Sequence, residues 1–112
     1  MVVTEAFTSL AASVRVALNG ATSSVYSDAV VIDGIRDAFR RLNDARHETR
    51  YSGMSINDVE WSTATSATFD DRFRTGIIYF AAARVYEGSL RDAVHQQLAA
   101  QFKQMAEQNF AG

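Results

Sequence analysis

The chain has 112 residues with a formal net charge of −2, and 47% of them are hydrophobic, including seven Phe and four Tyr. A single domain of this length buries roughly 65% of the surface its unfolded chain exposes, so the apolar content suffices for a core. The lack of any cysteine excludes disulfides, thiol nucleophiles and Cys-based metal sites, and the charge balance gives no basis for strong nonspecific binding to nucleic acid or anionic membrane.

The first predicted helix covers residues 4–18. Thr4 is read as its N-cap with Glu5 in the first turn, and Phe7, Leu10, Val14 and Leu18 form a stripe at steps of three and four. Asn19-Gly20 supplies the stop. The many Ala and Ser residues leave a thin apolar face, as expected of a peripheral helix or of one completed by a neighbouring subunit.

The second helix, 27–46, has the clearest start in the sequence. Ser27 is the N-cap, Asp28 follows in the first turn, and Tyr26 and Val31 are spaced for a hydrophobic staple. Val31, Ile35, Ala38, Phe39 and Leu42 make the buried face. The opposite face carries Asp33, Arg36, Asp37, Arg40, Arg41 and Asp44, at spacings that allow weak ion pairs. Basic residues thicken toward the end, at Arg46, His47 and Arg50.

Residues 47–68 break the helical pattern. The stretch is rich in Ser, Thr, Asn and Asp, and within it Met54, Ile56, Val59 and Trp61 alternate with polar neighbours around Asn57-Asp58. It is read as a projecting loop or short β-hairpin that makes contacts outside its own subunit, because a long structureless connection is uncommon inside a small compact domain.

Two helices follow with almost no connection, at 69–87 and 89–109. Phe69, Phe73, Ile77, Phe80, Ala81, Arg84 and Val85 recur at helical spacing in the first, and Leu90, Val94, Leu98, Phe102 and Met105 in the second, with Phe110 just beyond. Between them Gly88 can take the left-handed conformation that closes a helix, and Ser89 can cap the next. A link this short predicts a helical hairpin, packed face to face, as the core of the protein. Gly76 with Ala81, Ala82 and Ala83 points to a close helix–helix approach, within the monomer or between subunits. The expected fold is all-α, a single domain of about four helices over 1–112 with the long loop or hairpin between helices 2 and 3.

The search for chemistry finds little. His47 and His95 are far apart and neither has a second His or a carboxylate at metal-ligand spacing, so both are read as surface histidines. Asp70 and Asp71 diverge by about 100° on a helix and are read as helix-start residues rather than an acid/base pair. Gly53 and Gly76 belong to no phosphate-cradling pattern. The expectation is a protein with no catalytic residue, no cofactor and no metal. The N-terminus lacks the basic start and continuous apolar run of a signal peptide. The run from Ile77 to Ala83, bounded by Arg74 and Arg84, is too short to span a bilayer, so a soluble, cytosolic chain is expected.

The order of segments carries a resemblance. A short N-terminal helix precedes VYSDAVVIDGIRDAFRRLN; a polar excursion containing Trp61 leads to FDDRFRTGIIYFAAARVYEG, and the last helix ends LAAQFKQMAEQNF. This resembles the small head-tail connector, or adaptor, proteins of tailed bacteriophages and phage-like particles. In that family a Tyr/Trp-Ser-Asp helix start, an acidic-start helix with a run of alanines and a closing helix with a Gln-Phe phase recur in this order. The likeness covers about Tyr26 to Phe110.

The resemblance implies a structural virion protein, assembled in the host cytoplasm and located at the head-tail interface. It would form a homo-oligomeric ring, dodecameric in the family, bound to the portal protein and offering a platform to a tail-joining or stopper protein. Genome DNA would pass through its channel without sequence-specific binding, and no membrane is involved. On this reading Arg36, Arg40 and Arg41 contact the neighbouring subunit, while the 47–68 excursion, with Arg50, Met54, Ile56 and Trp61, makes portal or tail contacts. One departure is that the sequence stops soon after its last helix, without the extended C-terminal arm with which some members grip the portal, so that hold is expected to come from elsewhere. The competing class is a small helical DNA-binding regulator, in which Arg91, His95, Gln96 and Gln97 after the Gly88 turn mimic a recognition helix; a helical protein–protein module such as an antitoxin is a third. The roughly 33 Å length of the last helix and its continuous apolar stripe argue against a recognition helix.

Overall fold

A computed structural model describes residues 2–20, 25–45, 66–88 and 93–111. The elements in chain order are strand β1 (Val2–Ala6), helix α1 (Phe7–Ala17), helix α2 (Asp28–Ala45), strand β2 (Ser66–Asp70), one turn of 3-10 helix (Asp71–Phe73), helix α3 (Arg74–Glu87) and helix α4 (Ala93–Ala111). The fold is the expected small, mostly α bundle of four helices. Arg50, Met54, Ile56 and Trp61, with the alternating pattern around Asn57-Asp58, lie outside the described residues, as do Ser89 and Leu90.

The strands alter the predicted start of two helices. β1 pairs antiparallel with β2, Val2 opposite Asp70 and Ala6 opposite Ser66. Thr4 is therefore not an N-cap but a strand residue, and its hydroxyl lies 2.9 Å from that of Thr68 across the ribbon. Val2, Val3 and Thr4 are consecutive β-branched residues, which lose χ1 freedom in a helix and pack well on a strand. Likewise Phe69 belongs to β2, where Ala67 and Phe69 alternate inward, and the third helix starts at Arg74 instead of at 69. Asp70 accepts a hydrogen bond from the Arg72 backbone N–H at 3.1 Å, so it caps the turn that leads into α3. That bond holds its carboxyl below the usual aspartate range.

Helix α1 buries the whole stripe of Phe7, Leu10, Val14 and Leu18. It stops where Asn19 and Gly20 both take positive φ, 59° and 72°, a conformation that asparagine and glycine reach at least cost. The start of α2 is also as expected: Val30 N–H donates to Ser27 Oγ at 3.4 Å. Phe7 of α1 stacks on Phe39 of α2, whose ring meets Phe69 of β2 edge-on at 5.6 Å.

Helix α3 is the centre. Ile77, Ile78, Phe80, Ala81, Ala82, Ala83, Val85 and Tyr86 are all buried, so it is apolar almost all round, as suits a helix enclosed by others. Arg84 is the exception to the predicted stripe and faces outward. Helices α1, α2 and α4 each pack on α3. Two glycines set the spacing. A Cβ at Gly34 of α2 would lie 2.8 Å from the Ala81 carbonyl oxygen, and one at Gly76 of α3 would lie 2.6 Å from the Phe110 ring. The close approach read from Gly76 and the alanines is thus made within the monomer.

The α3–α4 hairpin forms, but α4 is turned from the predicted orientation. Its buried residues are Ala99, Ala106 and Phe110, while Leu98 and Phe102 are partly buried and Val94 and Met105 are exposed. Ala99 and Ala106 line the seam, and Phe110 enters it where Gly76 leaves room for its ring. Gly88 ends α3 with φ −74°, so the left-handed cap expected there is not used.

Candidate functional site

The exposed side of α2 carries the arginines singled out in the sequence, and the fold treats them differently. Arg36 Nη2 lies 3.5 Å from Asp33 Oδ1, and Arg40 Nη1 lies 3.5 Å from Asp37 Oδ1. From α3, Arg84 Nε comes to 3.9 Å of Asp37 while its Nη1 donates to Glu87 at 2.9 Å. The result is a ridge of alternating sign across α2 and α3. The Nε atoms of Arg36 and Arg40 are buried and have no hydrogen-bond partner among the described residues. The two residues stand at i,i+4 on one side of α2 and are half-exposed.

Arg41 is tied down. Its Nε and Nη2 donate to the two carboxylate oxygens of Glu107 on α4, at 2.7 and 2.6 Å. This bidentate pair, a geometry that suits the planar guanidinium, joins α2 to α4 inside one subunit, whereas Arg36 and Arg40 pair with carboxylates of their own helix. Sequence spacing gave no sign of it, since the partners are 66 residues apart.

A second polar cluster fastens the N-terminal strand. Arg74 Nε and Nη2 donate to Glu5 at 2.9 and 2.8 Å, Nη2 also donates to Ser13 Oγ at 2.8 Å, and Ser9 Oγ donates to Glu5 at 2.8 Å. β1, α1 and α3 are thereby held together by one carboxylate and one guanidinium. The Arg74 hydrogen bonds hold the Glu5 carboxyl below the usual glutamate range, against the opposing effect of burial. A carboxylate whose pKa is lower folded than unfolded stabilises the fold fully above the unfolded value, and that stability is lost as pH falls through the folded one. Thermal melting is therefore expected to drop below about pH 4.3, the ordinary glutamate value. In Arg74→Met the contribution of Glu5 to this acid limb should vanish, with a loss at neutral pH on the order of 1 kcal/mol after screening of the half-exposed guanidinium.

His95 is not a simple surface histidine. Its ring packs on Tyr86 at 4.8 Å, and Tyr86 is in turn stacked on Phe102 and meets Tyr26 edge-on. Burial pushes the Tyr86 hydroxyl pKa up, as expected of an aromatic wall rather than a proton carrier. Among the described residues no group of three or more His, Asp or Glu could hold a metal ion, and no helix is long and apolar enough to cross a membrane. Comparison with known protein families, with curated proteins and with solved structures finds no match to this chain.

Proposed function

We propose that this chain is the subunit of a non-enzymatic ring that joins head to tail in a phage or phage-like particle, beneath the portal, where it extends the DNA channel. The observation that carries the reading is the order of its segments. A Tyr-Ser-Asp start leads into α2 through the Ser27 cap, an Asp-capped turn leads into α3 with its alanine run, and a long α4 with Gln101-Phe102 closes the chain. This is the order in which the corresponding segments recur in the connector family. The α2–α3 ridge supports it further: half-exposed pairs of opposite sign, Arg36 with Asp33 and Arg40 with Asp37, suit side-to-side contacts around a circle. Balanced charge also lets DNA slide through a channel instead of adhering to it.

Native mass spectrometry over a rising concentration series, alone and with the portal protein, tests the proposal. The expected result is a closed ring of about twelve copies, since head-to-tail contacts close at one stoichiometry. A dimer that persists on dilution and gains nothing from portal would sink the connector reading in favour of a regulator.

A further inference from the structure

The chain has four asparagines, and Asn19 is the one followed by glycine. Asn57 lies outside the described residues. Asn43 and Asn109 are helical and are followed by Asp44 and Phe110. Asn109 is tied further by its Nδ2, which donates to the Arg72 carbonyl at 3.1 Å. Asn19 stands exposed where α1 stops, with φ 59°, and Gly20 after it is also exposed, with φ 72°. A Cβ at Gly20 would meet nothing within 4 Å, so a ring joining the Asn19 side chain to the Gly20 nitrogen has room to form. Asp33-Gly34 has the same small second residue in a closed setting. It lies inside α2, where a Cβ at Gly34 would be 2.8 Å from the Ala81 carbonyl oxygen.

We propose that Asn19 is a site of spontaneous modification, deamidation to aspartate and isoaspartate, and that the last turn of α1 controls its rate. The Gly20 nitrogen gives up its proton to base and attacks Asn19 Cγ. As that C–N bond forms, the Cγ–Nδ2 bond breaks and ammonia leaves with a proton from the solvent. The product is a succinimide ring. Water then opens it at either carbonyl, leaving an aspartate, or an isoaspartate in which the main chain runs through Cβ and Cγ. One water enters and one ammonia departs, and no oxidant or other reactant is needed. A side chain on the second residue would crowd the attack, and glycine has none. In the folded chain the nucleophile is engaged: Gly20 N–H donates to the Arg15 carbonyl at 2.7 Å, and Asn19 N–H to the Val16 carbonyl at 3.1 Å. Opening of this turn, which helix ends undergo at low cost, releases the nitrogen.

Either product adds a carboxylate at the C-terminal end of α1, where the helix dipole already places partial negative charge. Isoaspartate also lengthens the main chain between residues 19 and 20, so the Gly20 bond to the Arg15 carbonyl cannot keep its geometry. The same turn carries Leu18, buried at 3% exposure, and follows Arg15, whose side chain pairs with Asp28 at 2.6 Å and donates to the Tyr26 carbonyl at 2.9 Å. Modification therefore loosens the junction of α1 with the start of α2. The inference is independent of the ring proposed above.

The test ages the purified protein at mildly alkaline pH, folded and in urea, and follows it by peptide mapping. The expected result is a gain of about 1 Da in the peptide that holds Asn19, part of it accepted by an isoaspartyl methyltransferase, while Asn43 and Asn109 stay unchanged. The folded rate should be about tenfold below the rate in urea, the factor that one cap hydrogen bond supplies. Ageing should also lower Tm by about 4 °C, the shift expected for one lost cap bond in a domain of this size. Asn19→Gly keeps the positive φ at no steric cost, and its Tm should not change with age. Asn19 staying intact in the folded protein while the unfolded chain converts overturns the proposal, as does conversion of Asn43 or Asn109 at the rate of Asn19. A folded rate equal to that in urea, or an equal fall in Tm for Asn19→Gly, removes the control by α1.

Discussion

Phe110→Ala is expected to lower the unfolding free energy by about 3–5 kcal/mol, a large share of the roughly 5–15 kcal/mol of a whole domain. The Phe110 side chain is 1% exposed. Its ring meets Phe73 and Phe80 with centroids 6.4 Å away in each case, and Gly76 closes directly on it. The space left behind could not be refilled cheaply. Gly76 has no side chain to move in, the other seam residues Ala99 and Ala106 are methyl groups, and Phe73 is held by the turn that Asp70 caps. The loss should therefore sit in the upper part of the range. Urea denaturation followed by far-UV circular dichroism would show it as a lower midpoint at unchanged slope. A shift of less than about 1 kcal/mol would mean that α4 is not docked on α3 through this ring.

Gly34→Ala should also destabilise the protein, although alanine is the better helix former by about 1 kcal/mol. The added methyl group would lie 2.8 Å from the Ala81 carbonyl oxygen and 3.4 Å from the Ala81 Cα and carbonyl carbon. All three are backbone atoms of the most enclosed helix, so none can rotate aside. Relief requires α2 and α3 to separate, which loosens Ile35 and Ile77, both completely buried. Overpacking of this kind costs about 1–3 kcal/mol and outweighs the propensity gain. At about 4–8 °C per kcal/mol for a domain of this size, a fall of several degrees in Tm is expected. Gly88→Ala is the matched control. Its φ is −74° and its nearest non-neighbour atoms would be 3.6 Å away, so there the same substitution should be neutral or raise Tm slightly.

The contrast between these glycines shows why much of the packing could not be read along the chain. A glycine inside a helical pattern signals close approach, and Gly76 was read that way, but the sequence does not say what approaches. Gly34 lies within an equally regular stripe and gave no signal of its own. The candidate contact residues behave alike. Arg36, Arg40 and Arg41 are indistinguishable as members of one charged face, yet Arg41 alone finds a carboxylate on α4. Glu5 and Arg74 were read as a first-turn residue and as the boundary of an apolar run; together they hold three elements at one point. No local spacing encodes pairs separated by 66 and 69 residues.

Local chemistry alone determined the four helices, the stop at Asn19-Gly20, the Ser27 cap, and the buried stripes of α1 and α2. Each depends on side chains within about one turn of one another, where capping and the 3.6-residue period act. Tertiary structure decided the rest. Residues 4–6 became strand because they pair with residues 66–68, and 69–70 because they pair with residues 2–3, while Phe69 and Phe73, four apart, fall on the same side at either period. The rotation of α4 follows the fit of Phe110 against Gly76 of α3, which leaves Val94 and Met105 at the surface. A seam lined with alanine costs some burial of large side chains but brings two helices together over most of their length. The size of the opposing surface, absent from any one segment, decides which residues of a stripe end up inside.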